Sequence, residues 1–181
     1  MIVKTPLFTY DDLAQLPDDG KRYELADGEL IVSPAPATYH QRVSARFGNL
    51  LFRAEDAGWG RMFAAPTDVH FGRYQVVQPD LLFISNDRLE IIEPQYIAGG
   101  PDLVIEILSP RTRDHDLGWK KTLYARESVH FYWVADPIAK TVQPLTLGVR
   151  GYDEAPPLRA GDTLVCPLFP DITADVAHLF P

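Results

Sequence analysis

The sequence predicts a mixed α/β fold, a mixed β-sheet flanked by helices, on three observations. Short apolar runs of strand-like composition recur from Tyr23 to Cys166. Two longer stretches, beginning near Thr38 and Asp114, carry apolar residues at helical spacing instead. The run from Leu103 to Leu108 is apolar on both faces, the pattern of a central strand covered on both sides. Strands interleaved with helices make a sheet with helices packed on it. At 181 residues the chain is long enough for one domain with a sizeable core, and 1–181 is expected to form it.

Taken in order, Thr9 and Asp12 have the spacing of a helix start, which predicts a short helix over 10–16 closed by Pro17-Asp18-Asp19-Gly20. Asp27-Gly28 between two strand-like runs signals a tight hairpin, and Pro34 and Pro36 stop its second strand. Thr38 and Gln41 have capping-box spacing, in which hydroxyl and amide each satisfy an orphan backbone N–H. The helix behind them places Val43, Phe47, Leu50 and Leu51 on one stripe, with His40 on that stripe in the first turn, and ends at Gly58. Residues 61–71 read as a strand interrupted at Pro66, 76–84 as a second, and 102–108 as a third between Pro101 and Ser109-Pro110. A helix over 114–127 and a strand over 129–135 follow, turned by Asp136-Pro137. The remainder reads as antiparallel strands over 141–147 and 163–166, the latter packing Cys166, and a short helix over 173–179.

No apolar run approaches the ~20 residues needed to cross a bilayer. The opening MIVKTPLFTYDD lacks the charged start, longer apolar region and cleavage site of a signal peptide, so a cytoplasmic protein with no membrane partner is expected. A single cysteine, Cys166, excludes an intrachain disulfide and a cysteine-based zinc cluster. The net charge of −8 argues against DNA binding by the whole surface, which uses basic patches. A local patch remains open: Arg111, Arg113, Lys120, Lys121 and Arg126 follow the third strand closely, though a solvated helix face accounts for them equally well.

The informative residues are two acids inside apolar strands. Glu106 sits in the middle of 103–108, on the side of Val104 and Leu108. Asp80 interrupts a similar run between Val76-Val77 and Leu81-Leu82-Phe83-Ile84. An isolated buried carboxylate costs several kcal/mol, so each must be protonated, paired with a base, or bound to a metal. A buried ion pair explains either one alone. If the two strands are neighbours, both carboxylates can converge on one cation, and hard oxygen ligands suit Mg²⁺ or Mn²⁺. Lys120 lies in the helix sector of Leu117, Leu123 and Tyr124, with Lys121 at its far edge. Facing inward, Lys120 can orient a water or stabilise charge on a phosphate; facing outward, it only covers apolar surface with its stem.

These segments, in this order and spacing, resemble the Uma2-like endonucleases, a branch of the PD-(D/E)XK nuclease superfamily, over almost the whole chain. The matching pieces are Tyr23-Glu24-Leu25-Ala26-Asp27-Gly28-Glu29-Leu30, Pro79-Asp80-Leu81, residues 101–110 from Pro101 to Pro110, Asp116-Leu117 with Lys120 and Tyr124, and Tyr132-Trp133-Val134-Ala135-Asp136-Pro137. The resemblance implies a restriction-endonuclease-like fold, a metal-dependent phosphodiesterase acting on nucleic acid, DNA foremost, and a homodimer. It matches Asp80 to the Asp of the PD motif and Glu106 to the first position of (D/E)XK. Leu108 stands where the superfamily has its Lys, and Lys120 matches the register of a Lys moved onto the next helix, as in this branch. His40 falls where many relatives carry an acid on the first core helix, and Glu24 matches a family position on the hairpin; both are accessory candidates, weighed against a helix-start histidine and a surface acid. Asp102 reads as the head of its strand and Asp136 as a turn residue. The rival expectations are a nuclease-fold module that binds nucleic acid or supports assembly without cleaving, and a hydrolase of another phosphorylated substrate.

Overall fold

A computed structural model describes residues 7–17 and 19–181. The order of elements is α1 (Tyr10–Leu13), β1 (Arg22–Ala26), β2 (Glu29–Ser33), α2 (Thr38–Asp56), β3 (Gly60–Ala64), β4 (Val69–Gly72), β5 (Gln75–Val77), β6 (Leu81–Ser85), β7 (Ile97–Ala98) and β8 (Leu103–Ile107). A helical run then comprises α3 (Arg113–His115), a π turn (Asp116–Lys120) and α4 (Lys121–Arg126), before β9 (Phe131–Asp136), β10 (Thr141–Gly148), β11 (Gly151–Glu154), β12 (Thr163–Leu164) and β13 (Ala174–Asp175). Among the described residues no helix is long and apolar enough to cross a membrane.

Six strands form the main sheet in the order β11-β10-β9-β8-β6-β3, with β8 and β9 parallel and the other pairs antiparallel. A second sheet, β2-β1-β5-β4-β7, is also mixed, and β12-β13 is a small ribbon. The predicted mixed sheet with flanking helices is the observed architecture. Alternation along the strands explains the layers: Leu81, Phe83, Leu103, Ile105, Ile107 and Trp133 pack with the α2 stripe of Val43, Phe47, Leu50 and Leu51 on one face. Leu82, Ile84, Val104, Leu108, Tyr132 and Val134 pack on the other face with Leu123 and Tyr124 of α4 and with Val69, Val77 and Ile97 of the second sheet.

Several boundaries differ from the sequence expectation for identifiable reasons. The hairpin is as expected, with Asp27 and Gly28 at φ 51° and 83°, the paired positive values that a two-residue turn of this kind needs. The first helix is shorter than 10–16, ending at Leu13, although Thr9 and Asp12 do form a reciprocal capping box. At α2 the N-cap is Ala37 and Thr38 is already helical, so Thr38 and Gln41 do not cap; Gln41 N–H donates to the Ala37 carbonyl instead. The helix stops at Asp56, and Gly58 (φ 84°) carries the chain out of it.

The expected strands 61–71 and 76–84 each split between the two sheets. Both contain a proline, which has no N–H to give a ladder. The first breaks around Pro66 into β3 and β4, and the second around Pro79 into β5 and β6. Asp80 therefore stands at a crossing from one sheet to the other, not in mid-strand, and its carbonyl accepts from Ala65 N–H of the other crossing. Near the C-terminus, Cys166 is buried just beyond β12, not within a strand, and the helix expected over 173–179 is β13 followed by a single 3₁₀ turn, Val176–His178.

One half-buried histidine belongs to the fold. His70 of β4 stacks on Tyr96 (3.9 Å, 4°) and meets the ring of Tyr10 at 3.9 Å. Burial pushes its pKa down from 6.5 to about 4. A histidine with a depressed folded pKa takes up its proton more readily in the unfolded chain, so its contribution is intact above about pH 6.5 and is lost as pH falls toward 4. Chemical denaturation across that window should show stability falling with pH, and His70→Phe should flatten the fall; an unchanged slope would refute this role.

Candidate active site

The route of the chain explains why two acids meet. In the antiparallel β6–β8 ladder Leu81 lies opposite Ile105 and Leu82 opposite Val104. One step further along the same register sets Asp80 beside Glu106. Both are almost fully buried, 3 % and 2 % exposed, as is Lys120 at 4 %. Together with Arg22, Glu24 and His40 they line one cavity of about 270 Å³, roofed by the Pro34–Ala37 segment and bordered by Ser109–Thr112. All five sequence-selected residues are thus brought to one place.

Asp80 is held by its whole surroundings. Its Oδ2 accepts from the Ile107 N–H (2.8 Å) and lies 3.1 Å from His40 Nε2, while Oδ1 accepts from Arg22 Nη1 at 2.7 Å. Burial alone would push this carboxyl up; the His40 hydrogen bond and the Arg22 charge prevail and hold it below the usual carboxylate range. His40 Nε2 also lies 3.1 Å from the Ile107 carbonyl oxygen. Placed between two acceptors, Nε2 must carry the hydrogen. His40 Nδ1 is buried and has no partner among the described residues.

Glu106 Oε1 accepts from Lys120 Nζ (3.0 Å) and from the Tyr124 hydroxyl (2.7 Å). The same ammonium sits 2.8 Å from Glu24 Oε1 and 3.8 Å from Asp116 Oδ1. Glu24 is anchored in turn by the Gln78 N–H at 2.9 Å. One cation shared among three acids cannot offset burial at each of them. Burial, only partly countered by Lys120, pushes both Glu106 and Asp116 above the usual range, and the three carboxylates hold the Lys120 ammonium well above its own against the pull of burial.

The helical run differs from an unbroken helix over 114–127. Its π turn spans Asp116–Lys120, and the Tyr132 hydroxyl donates to the Asp116 carbonyl there at 2.9 Å. π turns are rare and concentrate at functional sites. Leu117, expected to face inward, is 37 % exposed, whereas Asp116 is buried. The inward column is Asp116, Lys120 and Tyr124, spaced by four. That spacing was visible in the sequence; reading Leu117 as core hid it. Arg22 was missed altogether, because nothing local to an arginine at the head of a strand announces that it pairs with an acid 58 residues away. Asp102 lies outside the site, accepting from Ser85 and Arg88. Asp136 caps its turn and pairs with Arg113. The basic cluster is not one patch: Arg113, Lys121 and Arg126 pair with Asp136, Glu154 and Glu127, Lys120 is buried, and Arg111 alone of the five borders the cavity in the open.

The donor set can be tested against a divalent cation. Among the described residues no group of three or more His, Cys, Asp or Glu side chains is arranged to hold a metal. The cavity instead offers two buried carboxylates, Asp80 and Glu106. Mg²⁺ is commonly held by one or two carboxylates with water completing its shell. Charge points the same way. Four carboxylates (Glu24, Asp80, Glu106, Asp116) face three permanent cations (Arg22, Arg111, Lys120), a formal surplus of one negative charge. The residues fit a hard divalent cation.

The architecture is a mixed sheet flanked by helices, with two acids and a lysine converging at a sheet crossing. The chain belongs to the Uma2 family, described as "Putative restriction endonuclease", whose model matches residues 10–177. A solved structure with the same fold, described as "a putative nuclease belonging to DUF820" from Anabaena variabilis ATCC 29413, superposes with a TM-score of 0.78 at 21% identity, covering 96% of this chain and 97% of that one. No curated protein matches the sequence.

Proposed function

We propose that the protein hydrolyses phosphodiester bonds of nucleic acid, DNA foremost, with Asp80 and Glu106 holding Mg²⁺ or Mn²⁺. The observation that carries this reading is the convergence of two buried carboxylates and a buried ammonium on one cavity with a surplus of negative charge. The cation, when bound, acidifies a water and neutralises charge on the phosphate. The chain's own residues do the rest. Lys120, kept protonated by three carboxylates, is a fixed positive charge and not a general base; it orients the attacking water and faces the charge that grows on the phosphate. Glu24 and Tyr124 are positioning residues, one holding the ammonium and the other holding Glu106. His40 orients Asp80 from the start of α2.

Calorimetric titration of Mn²⁺ tests the reading before any substrate is chosen. Wild type should bind, and Asp80→Asn should weaken binding by at least about tenfold. Equal affinity in the two proteins would remove Asp80 from the metal site. A second reading, a module that binds nucleic acid without cutting it, is favoured by one observation: both carboxylates are already paired with a cation, Asp80 with Arg22 and Glu106 with the shared Lys120. DNA binding by a protein that takes up no Mn²⁺ and cleaves nothing decides for it.

A further inference from the structure

The Arg22–Asp80 pair is built differently from every other contact in the site. Asp80 Oδ2 is committed to the main chain of β8 and to His40, whereas among the described residues Oδ1 is met only by Arg22 Nη1. The Arg22 side chain keeps 20% of its surface exposed, while those of Asp80, Lys120 and Glu24 keep 4%, 5% and 6%. Arg22 also stands on the wall between two cavities, the catalytic one and a neighbouring one of about 370 Å³, and lines both. A guanidinium has five donors in a planar fork, and one hydrogen bond from Nη1 leaves most of them uncommitted. Lys120, by contrast, is enclosed by three acids and cannot leave without stranding them.

We propose that Arg22 is a displaceable gate on the metal site: it occupies Asp80 Oδ1 until a divalent cation takes that oxygen, and the released guanidinium then binds a non-bridging oxygen of the nucleic-acid phosphate. The inference rests on the nuclease reading of the site and adds to it an order of events. Arg22 and the cation compete for the same oxygen, where two positive charges repel each other, so the ion pair lowers metal affinity. The displaced arginine remains at the cavity wall, where a planar fork suits a phosphate. Metal binding and phosphate binding are thereby coupled through one side chain.

Two opposite shifts in one variant test this. In Arg22→Gln, Mn²⁺ affinity measured by calorimetry should rise about fivefold, the worth of one partly exposed ion pair. In the presence of Mn²⁺, affinity for a fluorescein-labelled DNA 20-mer should fall about tenfold, with the slope of log Kd against log salt smaller by about one unit. Both proteins should bind the 20-mer alike when Mn²⁺ is withheld, because Arg22 is then held by Asp80. A merely structural arginine would weaken metal binding, or leave both affinities unchanged, and either result overturns the proposal.

Should Arg22→Gln fail to fold, wild type answers the question by nuclear magnetic resonance. Saturating Mg²⁺ should move the Arg22 side-chain Nε–H signal, assigned by its loss in Arg22→Lys, as the ion pair opens. A signal unmoved at saturation shows that the pair persists, and the gate is refuted. Failure of the underlying reading looks different: wild type itself takes up no Mn²⁺, and both ideas fall together.

Discussion

Lys120→Met should be the most destabilising single substitution in the site. Its ammonium is the cation that Glu24, Glu106 and Asp116 share, at 2.8, 3.0 and 3.8 Å, and all four residues are buried. Removing one partner of a buried pair leaves an uncompensated charge and costs about 3–5 kcal/mol. That is a large fraction of the roughly 5–15 kcal/mol by which a folded domain is stable. Thermal unfolding should show the midpoint lowered by roughly 6–20 °C for a chain of this size. The deficit has a sign in pH. Burial raises the pKa of Glu106 and Asp116 in the folded protein, so protonation favours the folded state, and the gap to wild type should narrow as pH falls below neutrality. A midpoint within a degree or two of wild type at neutral pH would mean that Lys120 leaves the interior freely and is not the electrostatic keystone described above.

Glu106→Gln should have the largest effect on activity and little on stability. The amide keeps the shape of the side chain and still accepts from the Tyr124 hydroxyl, which lies 2.7 Å away. What it removes is one negative charge from a site that carries more acids than cations, and burial already disfavours that charge. The thermal midpoint should therefore stay level or rise, as is common when a functional site is relieved of its own strain. On the proposed reading Asp80 and Glu106 hold the cation, whose contribution is worth several kcal/mol to the transition state, so the rate of DNA cleavage in Mg²⁺ or Mn²⁺ should fall at least about a thousandfold. Retained cleavage in a folded Glu106→Gln protein would place the chemistry elsewhere.

The parts of the fold that were legible in the sequence were those set by local rules. Asp27-Gly28 specified the hairpin because few residue pairs accept two positive φ values in succession. The α2 stripe and the doubly apolar β8 were readable because burial imposes a period on the chain. The misreadings share one cause. Residues 61–71, interrupted at Pro66, and 76–84 each read as one strand because composition does not say to which sheet a strand belongs, and the chain changes sheets at Pro66 and at Pro79. Likewise the π turn, which turns Leu117 outward and Asp116 inward, is held by the Tyr132 hydroxyl of a later strand.

The amino-acid sequence by itself determined that Asp80 and Glu106 must be neutralised, because a carboxylate flanked by apolar residues in a buried segment has no water to do it. It also singled out Lys120 as the helix-borne cation to meet them. Only the tertiary structure decided which acid has which partner: Arg22 across the sheet crossing to Asp80, and Lys120 divided among three carboxylates. The reason is range. Burial and backbone preference act on neighbours along the chain and leave their mark in it, whereas an ion pair between residues 58 positions apart exists only once two sheets have met.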